Sequence, residues 1–561
     1  MSDRLFVPIK PLIVLGVGVA VGFTVITTPA WCGEIDNAPE PDPPIVAEMA
    51  DFAKTPGLFE LVKALPLFAQ LSGTEKEATT TVVDMPHAPV WPEGALTLEA
   101  LVKALRQRNV NLQSGRLSKD IAEASILRAQ GAFDTQLSAS ISRVHTEEPN
   151  NIEEKTTRYT SVYESDSTDV SLLLSRTFET GVKVTAELSQ SQLMTSTMRV
   201  LDATEPDNHR VDYSLSLNQP LLKGAGKSVT TIPIQVAKIG QDVAAFTYED
   251  TESVTIAQVA MIYYDLLLAQ RKVVAFEEKI AMGKKMLTMA NKLRKEGRLA
   301  DADVWEVENA LTRFESALSE AHQTQREKSN TLRTQVQFAL DGNDGMLQVD
   351  ETLMEDFPQV PAFKESLDVA LNQRSDLKAK HLERAQKEKQ LSYAKNQALP
   401  QVDFQAKYGR SGLAYNRWNA YGESNGIDPS WTVGLSANLN LEGNREARAD
   451  VLTARIRLDE AKLAIKGLEV SIANDIQTTL KALGHTKARW QKSLTVAERE
   501  AKRAKMEMNR FNAGRSDMRA VLRQQERVID AKSLVTEQQV ATMKAQTMFQ
   551  AAQGALAELY R

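Results

Sequence analysis

Two periods divide the chain. Around "LSASIS" the apolar residues Leu137, Ala139 and Ile141 alternate with serines, and in "VDYSLSLNQ" Val211, Tyr213, Leu215 and Leu217 alternate with polar residues. "WTVGLSANLNL" repeats the pattern from Trp431 through Val433, Leu435, Ala437 and Leu439 to Leu441. A period of two predicts strands with one apolar and one polar face. The polar face here is Ser, Thr, Asn and Gly, and the stretches approach the roughly 9–11 residues of a tilted membrane strand. Tyr408, Tyr415, Trp418, Tyr421 and Trp431 gather around one hairpin, as in an interfacial aromatic girdle. Elsewhere the spacing is three and four. In the second half it runs Val451, Ala454, Leu458, Ala461, Ile465, Leu468, Ile472, Ile476, Leu480 and Leu483. It resumes with Trp490, Leu494, Ala497, Ala501, Ala504, Met508 and Phe511. This predicts a coiled-coil-like helix with a local shift near Ile472–Leu480. No proline occurs from Ile234 to Phe357 or after Pro429. A helix of about 65 residues is about 100 Å long, more than a compact domain needs.

The plan occurs twice. "LEALVKALRQRNVNLQSGRLSKDIAEASILRAQ" from Leu98 and "FKESLDVALNQRSDLKAKHLERAQKEKQ" from Phe363 each give a short helix, a Gln-Arg break and a longer helix leading into strand. The offset is about 266, Arg374 against Arg108. Long helices follow in each copy, interrupted at Gly297 and at Gly514, an offset of about 217. Glycine accepts the left-handed conformation that ends a helix, so both sites predict turns between long helices of opposite direction. Arg298 and Arg515 lie just past the incoming helix. Asp301, Asp303 and Asp517 lie at the start of the outgoing one, where the helix dipole favours negative charge. Copy one carries about 49 more residues than copy two, mostly in its strand region. The excess predicts an added hairpin around Asp169–Leu188, turning at Thr180-Gly181.

Composition refines this picture at the ends. Arg4 and Lys10 precede the apolar run Leu12–Ile26, and "TTPAWCGE" follows. This is the layout of a signal peptide, and the run is short for a retained membrane anchor. Residues 1–33 are read as that peptide, with cleavage after Ala30 or near Gly33. Trp31 beside the lone Cys32 disfavours a lipidation site. If cleavage falls past Cys32 the mature chain has no thiol, and an exported chain without disulfides holds together by packing alone. Residues 34–94, rich in Pro, Asp, Glu and Thr, read as a flexible lead. The first repeat is placed at 95–342, with strands about 133–220 and long helices about 229–340. A linker spans 343–362. The second repeat occupies 363–561, with strands about 400–441 and long helices about 444–559.

The net charge of −6 offers no basic stripe for nucleic acid. "KGAGKSVT" (Lys223–Thr230) lacks the first glycine of a phosphate-binding loop, where Leu221 stands, and reads as a flexible link from strand to helix. The six histidines have no ligand spacing, no nucleophile–base set stands out, and no cofactor is implied.

The duplicated helix–strand–helix–helix plan, "ALNQRSDLKAKHLERA...ALPQVDF", "LNQPLLKGAG" and the two glycine turns resemble the TolC-like outer-membrane efflux family over about Leu96 to Arg561. The resemblance implies a mainly α protein with a β-barrel portion. A homotrimer pools its strands into one barrel in the outer membrane of a Gram-negative bacterium, and long helices extend it as a tunnel through the periplasm. It implies partners: a periplasmic adaptor (membrane fusion) protein and an inner-membrane pump of the resistance-nodulation-division, ABC or major facilitator type. The cargo would be small molecules or proteins of type I secretion. It places Gly297, Arg298, Asp301, Asp303, Gly514, Arg515, Ser516, Asp517 and Arg523 at the periplasmic tip, where the adaptor docks and the entrance lies. Members often carry an acid six positions after the tip glycine. Asp303 matches this, whereas copy two has Ala520 there and Arg523 three residues later. That departure weakens any expectation of cation selectivity. Pooling strands has a physical motive, because backbone polar groups in lipid must all be paired. The competing reading is a structural coiled-coil stalk without transport activity.

Overall fold

A computed structural model describes residues 96–201, 207–337, 346–351, 353, 356, 360–424 and 429–560. The chain divides into two compact units, Met1–Pro86 and His87–Arg561, and all described residues belong to the second. The expected signal peptide, Cys32 and the 34–94 segment lie outside them.

Helices α1 (Leu98–Arg108) and α2 (Val110–Gln130) lead into strand β1 (Gln136–Pro149). Short helix α3 (Ile152–Arg158) precedes β2 (Val162–Thr177) and β3 (Lys183–Thr195), and α4 (Ser196–Leu201) precedes β4 (Asp207–Pro220). The one-turn helix α5 (Lys227–Thr230) opens onto α6 (Ile232–Lys295), whose Pro233 sits in the first turn, where its missing N–H costs nothing. Next come α7 (Asp301–Val336), α8 (Phe363–Gln373), α9 (Ser375–Gln397), β5 (Gln401–Ala414), α10 (Arg417–Glu423) and β6 (Ser430–Asn438). The chain ends with α11 (Arg445–Asn512), α12 (Met518–Ala552) and α13 (Leu556–Leu559). Among the described residues no helix is long and apolar enough to cross a membrane.

The helices pack four abreast. Near the strands the order is α2, α6, α9, α11, and beyond the middle it is α7, α6, α12, α11. Long α6 and α11 run through both levels, and the shorter helices replace one another end to end. The main core sits where the levels meet and includes Leu101, Leu105, Leu112, Ile256, Tyr263, Leu266, Leu332 and Met543. Arg106 ties the chain's end to this level by donating to the carbonyls of Tyr560 (2.6 Å) and Ala557 (3.1 Å).

Two details differ from the sequence pattern. The helix break of copy one falls at Asn109, whose side chain caps α2, so the counterpart of Arg374 is Asn109 and not Arg108. Burial sets this register: Leu112 and Leu377 are both buried, and each lies three residues past its break. On α11 the buried face after Leu483 keeps strict sevens through Trp490 and Ala504, so Ser493 is buried and Leu494 is exposed. Ser493 tolerates this because its hydroxyl donates to the Trp490 carbonyl at 2.7 Å.

The strands form one antiparallel sheet in the order β1-β2-β3-β4-β5-β6. The hairpin expected around Asp169–Leu188 is β2–β3, and it lies inside the sheet between β1 and β4. Its turn is anchored at "KGAGKSVT", which is a built junction and not a loose link. The Gly226 N–H donates to the Thr180 carbonyl (3.1 Å), and the Thr230 hydroxyl donates to the Glu179 carbonyl. Gly181 has φ +90°, and a Cβ there would stand 2.7 Å from the Gly224 carbonyl oxygen, so both backbone and space demand glycine. Asn396 of α9 holds the other side, accepting from the Gly224 N–H at 2.8 Å.

Candidate functional site

Both glycine turns have the same geometry. Gly297 and Gly514 each have φ +72°. The Arg298 N–H donates to the Leu293 carbonyl (2.9 Å) and the Gly297 N–H to that of Arg294 (2.9 Å). In the second turn Arg515 donates to Arg510 (2.8 Å) and Gly514 to Phe511 (2.9 Å). This paired closure satisfies the last carbonyls of α6 and α11. The outgoing helices start differently. Asp517 caps α12, its carboxylate accepting from the Ala520 N–H at 2.6 Å. Ala300 precedes α7 and has no hydrogen-bonding side chain to cap it, so Asp301 and Asp303 act from its first turn through the dipole. Asp301 lies 3.7 Å from the Arg294 guanidinium, and Arg298 lies 3.6 Å from Glu296.

The two turns share one apolar cluster. Met286, Ala290, Val304, Val307 and Phe314 from the first hairpin pack with Met518, Val521 and Leu522 of the second. Arg298, Asp301, Arg515, Asp517 and Arg523 are exposed around it, and Asp303 is half-buried. Ser516 is half-buried too, its hydroxyl donating to Glu507. One residue escaped the sequence reading. Trp305, in the first turns of α7, is 61% exposed. The spacing of Val304, Val307, Ala310 and Phe314 already puts it off the buried stripe, and that signal would have found it.

At the other end, the aromatic residues divide into two groups. Tyr408 and Trp431 are registered partners on β5 and β6. Trp418 and Tyr421 on α10 lie 6.2 Å apart, and Tyr421 meets the ring of Tyr213 edge-on at 6.5 Å. Tyr415 is exposed just past β5. Helix α10 rests on β5 at Gly412, where a Cβ would come within 2.1 Å of the Ala420 carbonyl oxygen.

One face of the sheet is apolar from edge to edge. A row of registered partners runs Leu137, Leu174, Ala186, Leu215, Tyr408, Trp431, crossing all six strands. Neighbouring rows add Ala139, Leu172 and Leu188 on one side and Leu217, Ala406 and Val433 on the other. Three or four such rows cover about 20 Å along the strands. Most of the large side chains among them are exposed, Trp431 to 73%. The opposite face carries Ser140 hydrogen-bonded to Ser171 (2.8 Å) and Ser214 donating to Glu187 (3.3 Å). An apolar exterior opposite a polar interior is the pattern of a membrane barrel wall.

The architecture is a sheet with one apolar face, continued by paired helical rods that end in glycine turns. No family model matches the sequence, and no curated protein matches it. Solved structures do. The Campylobacter jejuni CmeC outer membrane channel matches with TM-score 0.59 at 13% identity, over 82% of this chain and 86% of that one. VceC, an outer membrane protein of Vibrio cholerae, matches with TM-score 0.58 at 13% identity, over 82% and 96%. The open state of the Neisseria gonorrhoeae MtrE outer membrane channel matches with TM-score 0.54 at 14% identity, over 82% and 89%. The chain has the fold of the TolC-like outer-membrane channels.

Proposed function

We propose that three copies of this chain form a passive exit duct through the outer membrane and periplasm, joined at the glycine tips to a periplasmic adaptor and driven by an inner-membrane pump. The observation that carries the reading is the union, in one chain, of a sheet with an apolar face from edge to edge and helical rods of 64 and 68 residues. At about 1.5 Å per residue those rods reach about 100 Å, a length suited to crossing a compartment. A coiled-coil stalk needs no such sheet. The tips suit docking, because exposed Arg298, Arg515 and Trp305 surround a packed apolar cluster. Tryptophan and arginine are the side chains that most often anchor interfaces.

The test is crosslinking in intact cells from a single cysteine in a Cys32→Ala background. Half-buried Ser516 is already engaged with Glu507, so Ala513, exposed beside Gly514, is the better site. Ala513→Cys is expected to capture a periplasmic adaptor, whose identity would separate small-molecule efflux from type I secretion. Capture of surface proteins alone, or a protein that does not fractionate with outer membranes, would overturn the proposal.

A further inference from the structure

We infer that the barrel has eighteen strands. The inference rests on the trimeric channel reading and concerns what that trimer's wall contains. Among its described residues each chain supplies six strands in one unbroken sheet, so three chains supply eighteen. The β2–β3 hairpin is part of the wall and not an ornament at its mouth. It pairs along nearly its whole length with β1 on one side and β4 on the other. Its Leu172, Leu174, Ala186 and Leu188 continue the apolar band without a gap. Its turn is bolted to the start of the helices through Gly226 and Thr230.

The helices beneath add no member to match the hairpin. Helix α2, which feeds β1, packs directly on α6, which follows β4. Two strands therefore stand in the sheet above a joint where no helix is inserted. Six strands of a barrel tilted by about 40° span about 38 Å of circumference, and four helices packed about 8–10 Å apart span about 32–40 Å, so the sheet and the helices of each copy fill nearly the same arc.

The free edges suit a second copy of the same chain. Strands β1 and β6 run in opposite directions, because the strand number is even and every pair is antiparallel. The β6 edge of one copy therefore meets the β1 edge of the next in antiparallel fashion. In lipid an open edge is not tolerated, so closure is obligatory. The helices below have matching free edges. Helix α11 exposes Ile456, Leu463 and Val470 at intervals of seven, and α2 exposes Leu117 and Ile121. Eighteen strands at a spacing of about 4.8 Å and a tilt of about 40° enclose a barrel about 35 Å across, in the range that leaves an aqueous channel.

The experiment is an electron cryomicroscopy map of the full chain purified in lipid nanodiscs, with labelling of single cysteines in outer membranes as the second measurement. Eighteen strands in the wall are expected. Leu172→Cys and Leu188→Cys are expected to react with a bilayer-partitioned maleimide, with that labelling lost at Ser171→Cys and Ser189→Cys on the opposite face. If the hairpin left the wall, β1 would meet β4 and three copies would close twelve strands. A trimer with twelve strands, or Leu172→Cys open to a membrane-impermeant reagent, would overturn the inference and leave the channel reading standing. Absence of trimers from the outer membrane would overturn both.

Discussion

The tip glycines show most directly how one residue type sets the architecture. At Gly297 and Gly514 a Cβ would meet nothing within 4 Å, so the requirement there is conformational and not spatial. Replacing either by alanine forces an L-residue to φ +72°, at a cost of about 1–2 kcal/mol. Gly297→Ala and Gly514→Ala are each expected to lower stability by that amount in urea titrations of the purified protein. Gly422→Ala, also in open space but without a positive φ, is expected to change little. These turns were legible in the sequence because a glycine between two long proline-free helices has few other uses. The neighbouring charges were only partly legible. Asp517 is a capping residue with a defined partner, whereas Asp303 caps nothing by its side chain and stands half-buried in the first turn of α7. Asp303→Ala is therefore expected to cost no more than a helix-dipole contact, about 0.3–1 kcal/mol, and, in the proposed trimer, to raise conductance by loosening the entrance. Unchanged conductance would remove Asp303 from the entrance.

Among the elements, the strands were legible wherever alternation was clean, but their order was not. Copy one's excess residues announced a hairpin, and only the pairing and the Gly181 turn place it within the sheet. Gly181→Ala brings both a strained φ and a collision with backbone. It is expected to cost more than the tip substitutions and to make the turn at Phe178–Val182 sensitive to protease, which a digest of membrane preparations would read. The helical seam was legible up to Leu483. Beyond it an apolar tally favoured Leu494, while the unbroken period of seven buries Ser493, so register outranks hydrophobicity there. The junction of α6 with α8 and α9 was hidden altogether. Arg374 grips Asp376 with two bonds of 3.0 and 2.7 Å and reaches Asp475 at 3.5 Å. Asp250 on α6 lies in the same field, and its carboxyl is pushed above the usual range by burial and by Asp376, against the pull of Arg374. A carboxyl with a raised pKa in the folded state binds its proton more tightly there than in the unfolded chain. Its contribution to stability is thus present below the unfolded pKa and lost as pH rises through the folded one. Asp250→Asn is expected to raise stability at neutral pH and to flatten its rise on mild acidification. Parallel unfolding curves for both proteins across pH 4–7 would check this.

For the whole molecule, the decisive residues are those with nothing to do in a single chain. The apolar stripe through Leu458, Ala461, Ile465 and Leu468 leaves Leu463 off the core face, but periodicity alone does not say what an apolar residue there would meet. The structure shows Leu463 68% exposed on the outer face of α11, and Ile121 equally exposed on α2, the two helices at the free edges of the layer. Exposed side chains contribute little to the stability of the chain that bears them, so a charge at either site should leave its helices intact, within about 0.5 kcal/mol. The same charge buried against a neighbouring copy would lack a partner, and burial of an unpaired charge is strongly unfavourable. Leu463→Glu and Ile121→Glu are therefore each expected to abolish the proposed trimer while preserving the helical circular dichroism. Leu458→Glu, at a buried position of the same helix, is expected instead to disrupt the fold itself. Native mass spectrometry of detergent-extracted protein distinguishes these outcomes. If Leu463→Glu still assembles as wild type does, the ring is held by the sheet edges alone, and the helical edges only lie alongside one another.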